Sequence, residues 1–296
     1  MPRGTNPAAP GSARGARLGG WSPPPYARTA ARYLAVADRL LPGRITGFHL
    51  VGSAALGAWR PKRSDIDFIA VVDGGPDDRL LRLLRVLHVV GNLPAAGRAV
   101  ATADPTLPGT VNGAFVPAAD LDRPVTRIRP LASHSGWTFA PGRGFDVNPV
   151  MWKVLRDNGI PLRGPRPDQL GLDPEPARLR DWNLDQLRGH WRGWAQALLT
   201  GRARRKPLVP AHRLALSRVL GPPRLHHTIT TGEVISKEAA AQYALDTFGD
   251  RWRPLLRAAL AQRDGRPAPD SPTPGGLIRM AGEFTLEVVA DAEKRP

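Results

Sequence analysis

"VGSAALGAWRPKRSDIDFIAVV", residues 51–72, sets two aspartates, Asp65 and Asp67, one residue apart in a run whose remainder is built for burial. The apolar residues 68–72 that follow have the near-continuous character of a strand covered on both faces. Side chains at i and i+2 of a strand share a face, so Asp65 and Asp67 point one way while Ile66 and Phe68 point the other. Two carboxylates held that close raise each other's proton affinity unless a cation lies between them. Hard oxygen ligands on a stiff strand suit Mg2+, which takes one or two carboxylates and completes its octahedron with water and substrate phosphates.

Upstream, Gly52 and Ser53 end the preceding strand. There a missing side chain lets backbone N–H groups approach an anion and a hydroxyl adds a further donor; Ser64, just before the pair, can do the same. A phosphate cradle and a magnesium platform thus flank the loop 54–64, which outlines a nucleoside-triphosphate site. A solvent-facing strand would carry the same Asp-Ile-Asp by chance, but the core character of residues 68–72 argues against it.

Outward from this stretch, apolar spacing predicts a helix over about 27–41 and a strand in "GRITGFHLVGS". "GGPDDRLLRLLRVLHVV" reads as a helix with a Pro-Asp-Asp start, and 110–118 as a third strand. From about 148 the pattern changes to a short helix stopped at Gly159, then the Pro-rich "IPLRGPRPDQLGLDPEP". Beyond it, segments of helical periodicity ending mostly at glycine indicate a bundle. The expected fold class is α+β: a basic Pro/Gly/Arg arm over 1–26, a mixed sheet with helices over 27–164, and a C-terminal α-helical bundle over 165–296.

The 296 residues include no cysteine, so disulfides and thiolate metal sites are excluded. With no apolar run near 18 residues and no secretory pattern, a cytoplasmic protein without a membrane span is expected. The formal charge of +16 invites a nucleic-acid reading. Part of it sits in the arm, however, and only "GRARRKP" (201–207) is a dense cluster, so nucleic acid is not the expected partner.

Gly52-Ser53, the loop and Asp65-Ile66-Asp67 together resemble the signature of the polymerase-beta-type nucleotidyltransferases. The helical second part, "RLHHTITTGEVISKEAAAQYAL" (224–245) and "FDVNPVMWKVLRDNGIPLRGP" (145–165) are similar to the aminoglycoside adenylyltransferases that modify streptomycin and spectinomycin, over roughly residues 28–290. The resemblance implies that Gly52, Ser53 and Ser64 hold the triphosphate, that Asp65 and Asp67 bind Mg2+, and that Arg224 and Lys237 reach ATP phosphates from the helical part. Lys237 follows Ser236, a helix N-cap by residue type, where an anion is favoured. It further implies AMP transfer from ATP to a hydroxyl of a small acceptor, with a monomer as the expected assembly.

Two positions depart from the family. Asn112 stands where a third carboxylate would ligate metal and act as general base, and an amide cannot take a proton at neutral pH. Asp104, Asp120 and Asp122 lie nearby in sequence but off that strand position. Leu214 replaces an aspartate ten residues before Arg224, which weakens the antibiotic assignment; Trp137 is either an aromatic wall for the acceptor or a core residue. His226 and His227 point apart on a helix, and His49 reads as a core residue. The rival readings are a degenerate ATP-binding module and a polynucleotide nucleotidyltransferase.

Overall fold

The computed structural model describes residues 24–102, 109–203, 209–268 and 270–295. Most of the N-terminal arm, Asp104 and most of the basic cluster at 201–207 lie outside the described residues. Helix α1 (Pro25–Leu40) opens on proline, whose fixed φ suits a first turn, and buries Ala30, Tyr33, Leu34 and Ala37 along one face. Strand β1 (Ile45–Leu50) leads into α2 (Gly52–Ala55), a single helical turn where the sequence suggested only a bend. Strand β2 (Ile66–Val72) begins one residue after Asp65, and the long α3 (Asp78–Thr102) returns the chain to β3 (Val111–Pro117).

A hairpin of β4 (Ala132–Ser135) and β5 (Thr138–Pro141) follows, then α4 (Pro149–Asn158) and β6 (Ile160–Arg163). These form one mixed sheet in the order β5-β4-β3-β2-β1-β6, in which only β2 and β3 run parallel. Sequence patterning missed the hairpin and β6. Four-residue strands carry too little alternation to register, and Pro161 in β6 is tolerated because that strand is the sheet edge.

The two faces of the sheet have separate cores. Phe48, Phe68 and Phe115 pack against Tyr33 of α1 and Leu84 of α3. On the other face Val51, Ile69 and Ala114 pack against Trp152 and Leu155 of α4. By the period of two, this second face carries Asp67 and Asn112.

The rest is helical: α5 (Pro176–Gln186), continued through a π-helical stretch at 187–191 into α6 (Arg192–Leu199), then α7 (Ala211–Arg218), α8 (Gly221–Thr231), α9 (Lys237–Phe248), α10 (Arg253–Asp264) and α11 (Pro274–Lys294). Leu198, Leu216, Leu255, Phe284 and Val288 form its core. The molecule is thus α+β, a sheet with helices followed by a bundle. Among the described residues no helix is long and apolar enough to cross a membrane.

Candidate active site

Asp67 sits near the start of β2, opposite Asn112 in the parallel ladder. Gly52 lies against it with φ +58°, and a Cβ there would run into the Asp67 carboxylate. Glycine is required twice over, by the left-handed backbone and by the close approach. The Ser53 backbone N–H donates to the same carboxylate.

Asp65 is held from three directions. Its backbone oxygen accepts from Trp59 Nε1 at 3.1 Å, Oδ1 accepts from Thr110 Oγ1 at 3.3 Å, and Oδ2 accepts from Asn112 Nδ2 at 3.1 Å. Burial, and then the neighbouring Asp67 charge, pushes its carboxyl up to about 7. Burial pushes Asp67 up to about 6, against the opposing pull of Lys237 and Arg224. The strand spacing predicted the rise that the Asp67 charge adds at Asp65; at Asp67 burial is the upward cause.

Asn112 works as a positioning group here. Its amide nitrogen holds Asp65, and its oxygen accepts from the Gly136 backbone N–H at 3.0 Å. Gly136, at φ +57°, takes the first place of the two-residue β4–β5 turn, where hairpin geometry favours glycine. Next to it Trp137 is 74% exposed, which removes the core reading and leaves an aromatic face at the tip of a hairpin tied to Asn112. Ser64 is buried; its hydroxyl accepts from Arg60 N–H at 3.1 Å and pins the loop between the cradle and the pair.

From the helical part, Arg224 on α8 and Lys237, the first residue of α9, reach the field of Asp67. Ser236 caps α9, its side chain accepting from Ala239 N–H at 3.2 Å. Arg224 Nε donates to the Ile235 carbonyl at 2.7 Å, which fixes the guanidinium beside that cap. Burial lowers Lys237 from its ordinary pKa, as do the charges of Arg263 and Arg224.

Several groups here were not singled out from the sequence. Arg60, in the loop after α2, bonds Glu238 at 3.0 Å and Asp264; Arg263 bonds Glu238 at 2.6 Å and reaches the Ala58 carbonyl at 3.5 Å. Burial alone would raise the Glu238 carboxyl, but the bond from Arg263 holds it down at about 2. This network ties the sheet loop to α9 and α10. Asp146, two residues before the Asn148 cap of α4, is the other missed group: burial and the charge of Asp67 push it up to about 7. Nothing in "GFDVNP" separates it from an ordinary pre-helix aspartate, and only the packing of α4 over the Asp67 face reveals it.

The histidines stand apart from this site. Buried His49 has Nε2 at 2.9 Å from the Pro165 carbonyl, His226 lies between Tyr243 and Asp291, and His227 bonds the Glu233 carbonyl. Among the described residues no group of three or more His, Cys, Asp or Glu side chains could hold a metal ion. The two carboxylates are therefore a pair, a donor set suited to Mg2+ completed by water and phosphate oxygens rather than to a closed protein cage.

Residues 33–103 match the nucleotidyltransferase domain family, and residues 214–279 match the aminoglycoside adenylyltransferase C-terminal domain. The first range contains Gly52, Ser53, Asp65 and Asp67, and the second contains Arg224, Lys237 and Arg263. The chain thus carries a stretch that matches a nucleotidyltransferase domain, followed by one that matches the C-terminal domain of the aminoglycoside adenylyltransferases.

Its fold is similar to the crystal structure of spectinomycin adenyltransferase AAD(9) from Enterococcus faecialis with ATP and spectinomycin. The TM-score is 0.61 over 89% of this chain and 98% of that one, at 12% identity. A Synechocystis sp. protein with a provisional carboxypeptidase name is 29% identical over 133 residues, 42% of this chain; the chain spans 40% of that curated relative's length.

Proposed function

We propose that the chain transfers AMP from ATP to a hydroxyl of a small polar acceptor of the aminoglycoside or aminocyclitol class, at a rate limited by Asn112. The observation that carries this reading is charge layering: the carboxylates Asp65 and Asp67 face the cations Arg224 and Lys237 of the helical part. A divalent cation and a triphosphate between the two layers would satisfy both. The likeness to an adenyltransferase solved with ATP and spectinomycin supports the choice of donor and acceptor.

Asp65 and Asp67 would hold Mg2+, which when bound offsets charge on the triphosphate and on the leaving pyrophosphate. Gly52 and Ser53 line the triphosphate, Ser64 fixes the loop beside it, and Arg224 and Lys237 stabilise charge that grows as the bond to pyrophosphate breaks. The acceptor oxygen bonds the α-phosphorus and its proton must go to a base. Asn112 cannot accept it; Asp146, titrating near neutrality on the Asp67 side, is the available carboxylate. Exposed Trp137 offers an aromatic face to a cationic acceptor.

Among the described residues the last strand ends at Arg163 and helices follow from Pro176, which supports a division near residue 165. Both halves of the site come from one chain, so a monomer suffices, and an ATP donor fits a cytoplasmic enzyme. Asn112 favours a second reading, an ATP-binding module with residual or no transfer.

Mass spectrometry of hydroxylated aminocyclitols incubated with protein, ATP and Mg2+ tests the proposal. An acceptor gaining the mass of AMP, lost on Asp65→Ala, is the expected result. Nucleotide binding without any adduct leaves the module reading, and transfer that survives Asp65→Ala with Asp67→Ala overturns both.

A further inference from the structure

The turn before β2 and the helical part line an open cleft of ≈ 390 Å³, whose polar lining includes Arg63, His212, Arg213, Gln262, Arg266 and Ser271. That volume lies at the small end of ligand sites. Among the described residues no carboxylate and no phenylalanine, tyrosine or tryptophan ring lines it. Its cations come from three places: Arg63 from the sheet-side turn, Arg213 from α7 and Arg266 from the segment after α10. Among the described residues neither Arg63 nor Arg213 has a carboxylate partner. Arg266 bonds Asp264, but that carboxylate also serves Arg60, so positive charge remains in excess.

The cleft is separate from the carboxylate site. Arg224, Lys237 and Arg263 are not in its lining. On α10 it uses the face of Ala258 and Gln262, while Arg263 turns toward Glu238 and Ala58. Gln262 is oriented by its bond to the Arg213 carbonyl at 2.8 Å. Arg63 lies directly over Gly265, where a Cβ would meet its guanidinium, so the two halves of the molecule touch at the rim.

We propose that this cleft binds a compact oligophosphate anion, held between Arg63 on one side and Arg213 and Arg266 on the other. Guanidinium forks match phosphate oxygens, so phosphate is the group these three arginines recognise; His212 is the one aromatic ring among the described lining residues. All three arginines are exposed, so an anion reaches them without any opening of the fold. Because the ligand bridges the sheet turn and the bundle, it stabilises their contact. Any ligand at the carboxylate site that favours the same contact is then coupled to it, reciprocally.

Calorimetric titration of the full chain with inorganic tripolyphosphate tests this, with the carboxylate site saturated by Mg2+ and a non-hydrolysable ATP analogue. One further equivalent should bind, at least about tenfold more weakly in Arg213→Gln/Arg266→Gln, since each lost charge-assisted bond costs about that factor. The analogue should bind that variant normally, whereas Lys237→Ala should weaken the analogue and spare tripolyphosphate. Arg63→Gln gives an independent variant from the sheet side, and thermal melts confirm that each variant folds. No binding to the saturated protein, or binding that all three arginine changes leave intact, overturns the site; an analogue affinity indifferent to tripolyphosphate overturns the coupling.

Discussion

Replacing Asn112 with aspartate places a carboxylate where an amide now stands, with almost no change of shape. Asn112 Nδ2 is 3.1 Å from Asp65 Oδ2. Two unit charges at that separation, in an effective dielectric of ~20, repel by about 5 kcal/mol. Proton uptake by Asp65, whose carboxyl titrates at about 7, caps the penalty at about 1.4 kcal/mol at pH 8, and at pH 5.5 Asp65 already holds that proton. At roughly 2–4 °C per kcal/mol for a chain of this size, the repulsion should lower the melting temperature of Asn112→Asp by about 3–6 °C at pH 8 and by less than about 2 °C at pH 5.5. Mg2+ with a non-hydrolysable ATP analogue should restore much of the loss at pH 8, because a third carboxylate strengthens the metal platform. If the missing base limits transfer, the rate should also rise by about 10² or more. Differential scanning calorimetry at the two pH values is the assay. An equal loss at both, or a loss that Mg2+ and the analogue leave untouched, refutes the placement of Asn112 against the Asp65 carboxylate.

Gly52→Ala forces a side chain into a left-handed position at about 1–2 kcal/mol and displaces the Asp67 carboxylate; equilibrium dialysis should show metal-dependent nucleotide binding lost, and retention would refute the cradle. Mn2+ binding, followed by electron paramagnetic resonance, should strengthen steeply from pH 5.5 to 8, since Asp65 and Asp67 must lose protons at about 7 and about 6. Without metal the sign for stability reverses: the folded carboxyls hold protons more tightly than the unfolded chain, so their contribution is lost as pH rises from about 4 toward 7. Asp65→Asn/Asp67→Asn should therefore gain on the parent in melting temperature across that window, and a constant difference would count against the raised values. Trp137→Ala should leave the melting temperature within about 1 °C, because the ring is exposed, and raise the acceptor KM alone; a large stability loss would restore the core reading.

The elements legible from sequence were those with long or strict periods. The Asp65-Ile66-Asp67 strand, the α1 stripe and the glycine-stopped helices of the second half each repeat a local pattern over enough residues to be read. The β4–β5 hairpin and β6 were not, because their strands are too short and partly exposed to alternate cleanly. Arg60, Glu238 and Arg263 were hidden for a compositional reason. In an arginine-rich chain, a guanidinium that bridges sheet and bundle looks like any surface one. Asp146 was hidden for a topological reason, since its proximity to Asp67 arises only when α4 lies across the sheet.

The placement of Glu238 bears on how the two halves meet. It lies one residue after Lys237, and its carboxylate, held near 2, stays ionised throughout the physiological range. Arg60 and Arg263 are therefore always attracted to it. That attraction draws the loop carrying Ser64 toward the start of α9 whether or not a nucleotide is bound, and it keeps Arg263 beside Lys237 despite their mutual repulsion. An anionic ligand entering between Asp67 and Lys237 would relieve that repulsion without breaking the Glu238 bonds. The network then acts as a fixed tie between the halves, and under the proposed function the affinity for a triphosphate would come from cations already gathered rather than from cations recruited by closure.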